Sequence, residues 1–156
     1  MGYLDELAGR LQASDSPDEP PEDRLRGLTA TFVDYGLEYP AFVDCALELM
    51  RRTGPELLDE ISEGAMYRLG RGIATCLATL AGTIRAGVDV GVFHTDDIDL
   101  LVNTLYASGL GGMQLARVGM LVKEAAPGIP TTARLSAEQV KDHLIAASVA
   151  MAVGAE

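Results

Sequence analysis

The stretch PELLDEISEGAMYRLGRGIATCLATLAGTIRAG, residues 55–87, carries apolar residues at three- and four-residue steps along one side. This spacing places them on one face of an α-helix. The residues of that face are Leu58, Ile61, Ala65, Leu69, Ile73, Leu77, Leu80 and Ile84. Each glycine inside a helix costs up to about 1 kcal/mol relative to alanine, so a neighbour or a ligand should approach closely at such positions. The glycines inside this stretch are Gly64, Gly70, Gly72 and Gly82. We predict one long central helix over 55–87.

Shorter amphipathic stretches on both sides of this segment predict five further helices. Their approximate bounds are Tyr3–Gln12, Pro21–Tyr39, Pro40–Arg52, Asp97–Lys123 and Ser136–Val153. An acidic, proline-containing connector at 13–23 and a loop at 127–132 join some of them. Runs rich in Val, Ile and Thr, which would predict strands, are missing. The sequence therefore predicts an all-α, six-helix bundle that forms a single domain over residues 1–156.

The composition is that of one ordinary globular domain, with 48% hydrophobic and 22% charged residues. The net charge of -11 repels phosphate and anionic lipid, so the chain alone is not expected to bind DNA or a membrane. No run is long and apolar enough for a membrane span, and the N-terminus lacks the features of a signal peptide. We therefore expect a cytoplasmic protein. Cys45 and Cys76 are far apart on apolar stripes, which predicts two reduced core thiols.

The sequence does not predict a catalytic or metal-binding set of side chains. A nucleophile needs a base, which is usually histidine, and the chain has only His94 and His143. No carboxylate stands three residues before either histidine, which argues against the Glu-x-x-His pairs of a di-iron bundle. The glycine-rich segments 70–72 and 109–112 fall inside helical periodicity with no preceding strand, unlike phosphate loops. We expect no enzymatic activity, no cofactor and no metal ion.

Two pairs of segments resemble, in their order and spacing, those of a known family. PEDRLRGL at 21–28, followed by FVDYGLEYPAF at 32–42, resembles the opening of the C-terminal domain of the TetR (tetracycline-repressor) family, in which an E-x-R-L-x-x-L helix runs into an E-x-P break. IRAGVDVGVF at 84–93, followed by DDIDL at 96–100, is similar to that family's I-x-x-G-x-x-x-G-x-F helix end and acidic helix start. A helix with a glycine at its midpoint usually follows, as at 109–112 here.

This resemblance covers nearly all of the chain and implies a transcriptional regulator, a repressor in the commonest case, although the sequence does not separate repression from activation. The family implies that a small, mostly apolar or aromatic effector enters the bundle and shifts a connecting helix. A helix-turn-helix segment precedes these elements in the family, and DNA would be bound only through that missing segment. Residues 1–20 would be the remnant of the connecting helix together with its acidic linker.

Carried over by position, the resemblance also implies an effector pocket between helices. Its predicted lining residues are Tyr35, Phe42, Met66, Leu69, Gly70, Ile73, Asn103, Tyr106 and Met113. The few polar contacts in this apolar pocket would come from Tyr35, Asn103, Tyr106 and Gln114. Methionine and aromatic residues at helical spacing also form ordinary cores, which is the alternative interpretation.

The last two helices are predicted to form a four-helix dimer interface with those of a second copy across a two-fold axis. The residues assigned to it are Leu105, Gly109, Gly112, Ala116, Leu144, Ala147 and Met151. Small residues let two helix backbones approach, and ordinary packing within one chain would explain the same pattern. A free-standing helical interaction module without DNA-binding activity is the alternative function.

Overall fold

The computed structural model describes residues 2–154 and is all-α apart from one hairpin, which confirms the predicted fold class. Within these residues the helices are α1 (Gly2–Ser14), α2 (Pro21–Glu38), α3 (Pro40–Met50), α4 (Gly54–Glu60), α5 (Glu63–Asp89), α6 (Ile98–Val118) and α7 (Ala137–Val153). The strands are β1 (Met120–Ala126) and β2 (Ile129–Arg134), which lie between α6 and α7. No helix in 2–154 has the length and apolar character needed to cross a membrane.

The predicted single helix over 55–87 is two helices, α4 and α5, because the chain breaks at Ile61 and Ser62. Ile61 is extended, with φ -110° and ψ 135°, and therefore ends α4. The Ser62 hydroxyl accepts a hydrogen bond from the Ala65 N–H at 3.2 Å and caps the start of α5. The apolar spacing continues through the break, which is why periodicity alone did not reveal it.

The end of α6 differs from the prediction, because residues 120–126 form a strand where the sequence pattern continued the helix to 123. Gly119 ends α6 in the left-handed region at φ 74°, and its N–H donates to the Leu115 carbonyl at 3.1 Å. β1 and β2 then pair antiparallel, with Val122 opposite Thr132. Gly128, at φ 78°, lies in the turn between the strands. The expectation that strands are missing was wrong here. Gly119 ends the helix and Gly128 turns the chain, so a hairpin forms although Val122 is the only β-branched residue of β1.

Predicted capping residues set the starts of the last two helices. The Asp97 carboxylate accepts a hydrogen bond from the Leu100 N–H at 2.9 Å and caps α6. Ser136 and Gln139 form a capping box at the start of α7, the position at which the sequence predicts the last helix to begin. At the other end of α7, the His94 N–H donates to the Ala152 carbonyl at 2.9 Å, which ties α7 to the loop between α5 and α6.

The core consists of two clusters of buried side chains. The first joins α1, α2, α3, α5 and α6, and its buried members are Leu7, Ala8, Leu11, Leu28, Val33, Tyr35, Phe42, Val43, Ala46, Cys76, Leu110 and Met113. The second surrounds Phe93, and its other members are Leu25, Ile84, Val102 and Ala152. Phe93 packs directly onto Gly87, where a side chain would overlap the ring. The glycine of the I-x-x-G pattern is therefore a packing residue.

We expect Gly87→Ala to lower the free energy of unfolding by about 1–3 kcal/mol, because the added methyl group would displace the buried Phe93 ring. Gly70→Ala, on the same helix with open space around its Cα, is the matched control and should raise stability by up to about 1 kcal/mol. Urea unfolding followed by circular dichroism measures both. Equal effects at the two positions would contradict the packing role of Gly87.

Candidate ligand-binding cavity

A cavity of about 70 Å³ lies where α1, α2, α5, α6 and α7 meet. α1 and α2 contribute Leu4, Leu7, Leu11, Leu28, Thr29, Phe32 and Val33. α5 contributes Ile73, Cys76, Leu77 and Leu80, α6 contributes Leu105, Tyr106, Ser108 and Gly109, and α7 contributes Leu144, Ala147, Ser148 and Met151. Apolar side chains dominate, and no charged residue lines the cavity.

The first wall of the cavity is one face of α1. Leu4, Leu7 and Leu11 recur at three- and four-residue steps and therefore point to the same side of the helix. Leu7 and Leu11 are buried, and Leu4 packs against the first core cluster. The sequence predicts this helix as part of the remnant of a connecting helix, but it does not assign the helix to the pocket.

Glycines at the cavity let neighbouring helices come close. A Cβ on Gly109 would lie 2.6 Å from Cε1 of Phe32, so this position holds the α2 ring against α6. A Cβ on Gly72 would lie 2.9 Å from Cδ1 of Leu4, where α1 crosses α5. These contacts account for two of the glycines inside predicted helices, as expected from the stability they cost.

Polar interactions connect both ends of α1 to the rest of the bundle. The Tyr35 hydroxyl donates to the Tyr3 carbonyl at 2.8 Å, and the Cys76 thiol donates to the Leu4 carbonyl at 3.3 Å. The Arg10 guanidinium donates to Glu38 at 2.8 Å and lies over the Tyr35 ring, 5.1 Å from its centroid. After the helix, the Asp15 carboxylate accepts a bidentate pair of hydrogen bonds from the Arg24 guanidinium, at 3.0 and 2.9 Å.

The buried thiol and phenol groups at and beside the cavity stay neutral near pH 7. Burial raises the pKa of the Cys76 thiol to about 11. Burial, and then the neighbouring Cys76, raises the pKa of Tyr106 above its ordinary value. Burial also raises the pKa of Tyr35 to about 12. Removing these groups from water disfavours their charged forms, so the cavity carries hydrogen-bonding groups without charge.

Of the residues predicted to line an effector pocket, the structure places Ile73 and Tyr106 on the cavity. Tyr35, Phe42 and Met113 are buried in the adjoining core cluster, where they pack against other side chains. The remaining four, Met66, Leu69, Gly70 and Asn103, lie away from the cavity lining. Asn103 is exposed, and its amide donates to the Asp99 carbonyl at 2.8 Å. Gln114 is also exposed.

Five of the residues assigned to a dimer interface line the cavity instead. These are Leu105, Gly109, Leu144, Ala147 and Met151. Gly112 packs against α7 of the same chain, since a Cβ there would lie 2.8 Å from the Leu144 methyl carbons. Ala116 is half-buried. The small residues on these faces of α6 and α7 therefore pack within one chain, which was the alternative interpretation of the pattern.

The side chains that could support catalysis or metal binding are dispersed. His94 Nδ1 is 2.9 Å from the Val153 carbonyl, and His143 is exposed on α7. Among residues 2–154 there is no group of three or more His, Cys, Asp or Glu side chains arranged to hold a metal ion. Cys45 is exposed and Cys76 is buried, and both thiols are free. Cys45 therefore departs from the predicted core position.

The arrangement of the helices has a counterpart among solved structures. A bacterial regulatory protein in the tetR family from Rhodococcus RHA1 superimposes with a TM-score of 0.69, over 99% of this chain and 70% of that one, at 15% sequence identity. The chain has a TetR-like fold. No protein-family model and no curated protein matches the sequence. The similarity to the TetR-family regulator therefore concerns the fold, and the cavity lies inside that fold.

We expect iodoacetamide at pH 8 to modify Cys45 at least tenfold faster than Cys76, because the thiolate is the nucleophile and burial keeps Cys76 protonated. Mass spectrometry of proteolytic peptides over time measures both rates. Unfolding the chain in urea is the control and should equalise them. Fast labelling of Cys76 in the folded chain would show that the cavity opens freely to solvent.

Proposed function

We propose that this chain is the ligand-sensing and dimerising region of a TetR-like transcriptional regulator. The observation that supports this role is the uncharged, apolar cavity, whose wall includes one whole face of α1. A similar fold in a tetR-family regulatory protein agrees with it. The proposed effector is a small, mostly apolar molecule, and repression of transcription is the proposed output.

The size of the cavity suggests how an effector would act. An engineered cavity of about 150 Å³ in another protein binds benzene, whereas this cavity measures about 70 Å³. An effector with a ring would therefore have to push part of the wall outward. α1 is the wall element that the family connects to its DNA-binding helices, so its displacement would couple effector binding to DNA binding.

α1 has contacts suited to such a two-state element. When an effector enters, the α1 leucines would lose part of their packing against the first core cluster, and the effector would replace those contacts. Its first turn is held by hydrogen bonds to the Tyr3 and Leu4 carbonyls, and its later part by the Arg10 ion pair with Glu38. The ion pair is exposed and therefore weak, so α1 can shift without breaking a buried charge pair.

The proposed dimer uses the outward faces of α6 and α7, because the inward faces are occupied within the chain. On α6, small and apolar residues recur at three- and four-residue steps on the outward side: Leu100, Thr104, Ala107, Gly111, Leu115 and Val118. Leu100, Leu115 and Val118 are 64%, 45% and 56% exposed, which is unusual for a row on one helix face. On α7, Ala146, Ala150 and Val153 form an exposed row. Two copies of these rows would form a four-helix interface.

The proposed function leaves DNA contact to a segment other than residues 1–156. A net charge of -11 repels the phosphate backbone, so residues 1–156 act on DNA only through a helix-turn-helix joined to α1. Sensing and pairing are the parts of the function that these residues would supply.

Filling the cavity should abolish effector binding. We expect Ala147→Leu to place a larger side chain in the cavity and to prevent retention of any apolar adduct that the wild-type chain carries from its expression host. Native mass spectrometry measures the adduct. Ala137→Leu, at an exposed position at the start of α7 and off the cavity, is the matched control and should retain it. Equal retention by both variants would place the ligand outside this cavity.

Placing a charge on the outward face of α6 should convert a dimer to monomers. Gly111 is exposed with open space around it, so Gly111→Glu leaves the fold of one chain intact while burying a carboxylate in the proposed interface. Sedimentation velocity should show at least a hundredfold weaker association. Gly70→Glu, at an equally open glycine on α5, should leave association unchanged. A Gly111→Glu variant that sediments like the wild type contradicts this interface.

A further inference from the structure

The polar groups around the cavity differ in whether their hydrogen bonds are already made. The Thr29 hydroxyl donates to Ser148 at 2.9 Å, and the Ser148 hydroxyl donates to the Ile145 carbonyl at 2.8 Å. The Cys76 thiol donates to the Leu4 carbonyl at 3.3 Å. Each of these donors is engaged within the chain, so none is free to hold a ligand without breaking an existing bond.

Tyr106 is different. Its hydroxyl has no hydrogen-bond partner among residues 2–154, although the residue is half-buried and lines the cavity. Its ring packs against Phe32, with centroids 5.8 Å apart, so the position of the ring is fixed by the core. Ser108 also lines the cavity, but it is exposed, and water can satisfy its hydroxyl. No side-chain polar atom in residues 2–154 is both fully buried and without a hydrogen-bond partner, so the Tyr106 hydroxyl is accessible to a ligand oxygen or a water molecule that can accept its hydrogen bond.

We infer that the effector is an uncharged molecule with one hydrogen-bond acceptor, a carbonyl or ether oxygen, which takes the proton of the Tyr106 hydroxyl while its apolar remainder fills the space between α1 and α7. This inference rests on the proposed sensing function and names the chemical class of the ligand. Tyr106 is the specificity-determining residue of the cavity.

The chemistry of the lining excludes the other ligand classes. A carboxylate or an ammonium group would enter a space in which no side chain carries an opposite charge, and burying an unpaired charge is strongly unfavourable. The neutral tyrosine hydroxyl is a donor to an acceptor oxygen, and burial keeps it protonated. A purely apolar molecule would fill the space but would leave this hydroxyl without a partner.

Three probes of similar shape test the inference: acetophenone, which has a neutral carbonyl, cumene, which has no acceptor, and benzoate, which is charged. Dissociation constants are measured by isothermal titration calorimetry for the wild-type chain and for Tyr106→Phe, which keeps the ring and removes the hydroxyl. Tyr67→Phe is the matched control, because Tyr67 is 69% exposed and lies off the cavity. Urea unfolding without ligand checks that the variants fold.

We expect Tyr106→Phe to weaken acetophenone about fivefold, as for the loss of one hydrogen bond, and to leave cumene unchanged. The carbonyl ¹³C resonance of labelled acetophenone should shift downfield on binding to the wild type but not on binding to the variant. Benzoate should not bind detectably, and Tyr67→Phe should change nothing.

Two outcomes overturn the inference and separate it from the proposed function. In the first outcome, acetophenone and cumene bind, and Tyr106→Phe weakens both equally or weakens neither. Benzoate binding with the same affinity as acetophenone has the same meaning. The ligand class is then wrong, while the sensing cavity stands. If none of the three probes binds, or if Ala147→Leu leaves their binding intact, the cavity is not the sensing site, and the proposed function falls with the inference.

Discussion

The apolar face of α1 must be covered, and the helices that cover it do not fill the space they enclose. Leu4, Leu7 and Leu11 lie against α2 and α5, while the more distant α6 and α7 close the far side. The result is a cavity of about 70 Å³ that α1 closes on one side. Packed interiors tolerate few voids, and the proposed sensing, coupling and ligand class all depend on this space beside the first helix.

Charge is kept entirely away from this space, although the chain carries a net charge of -11. The ion pairs of α1 lie on its outer side, where Arg10 meets Glu6 and Glu38. Inside, Cys76 and Tyr106 are held neutral by burial. The bundle thus separates an acidic exterior, which would not bind DNA, from an interior suited to an uncharged ligand.

Small residues on α6 serve two different surfaces of the same helix. Gly109 and Gly112 receive Phe32 and Leu144 of the same chain, whereas Gly111 between them faces open space. One helix can therefore close the cavity on one side and leave a smooth face for a second copy on the other. The hairpin that follows extends the exposed apolar surface beyond Val118, with Met120 51% and Val122 77% exposed.

The sequence by itself determined the helical class and the starts of α6 and α7, because hydrophobic periodicity and capping at Asp97 and Ser136 are local properties of the chain. Only the tertiary structure decided that Leu144 and Ala147 line a cavity within one chain, since periodicity shows that residues share a face but not what that face meets. The sequence pattern also did not predict the break at Ile61, because the apolar spacing continues through it. It did not predict the hairpin after Gly119, because a strand or a helix can contain the same short apolar run. Tyr106 could be named from sequence as a candidate, but its free hydroxyl depends on which donors find partners after the helices pack.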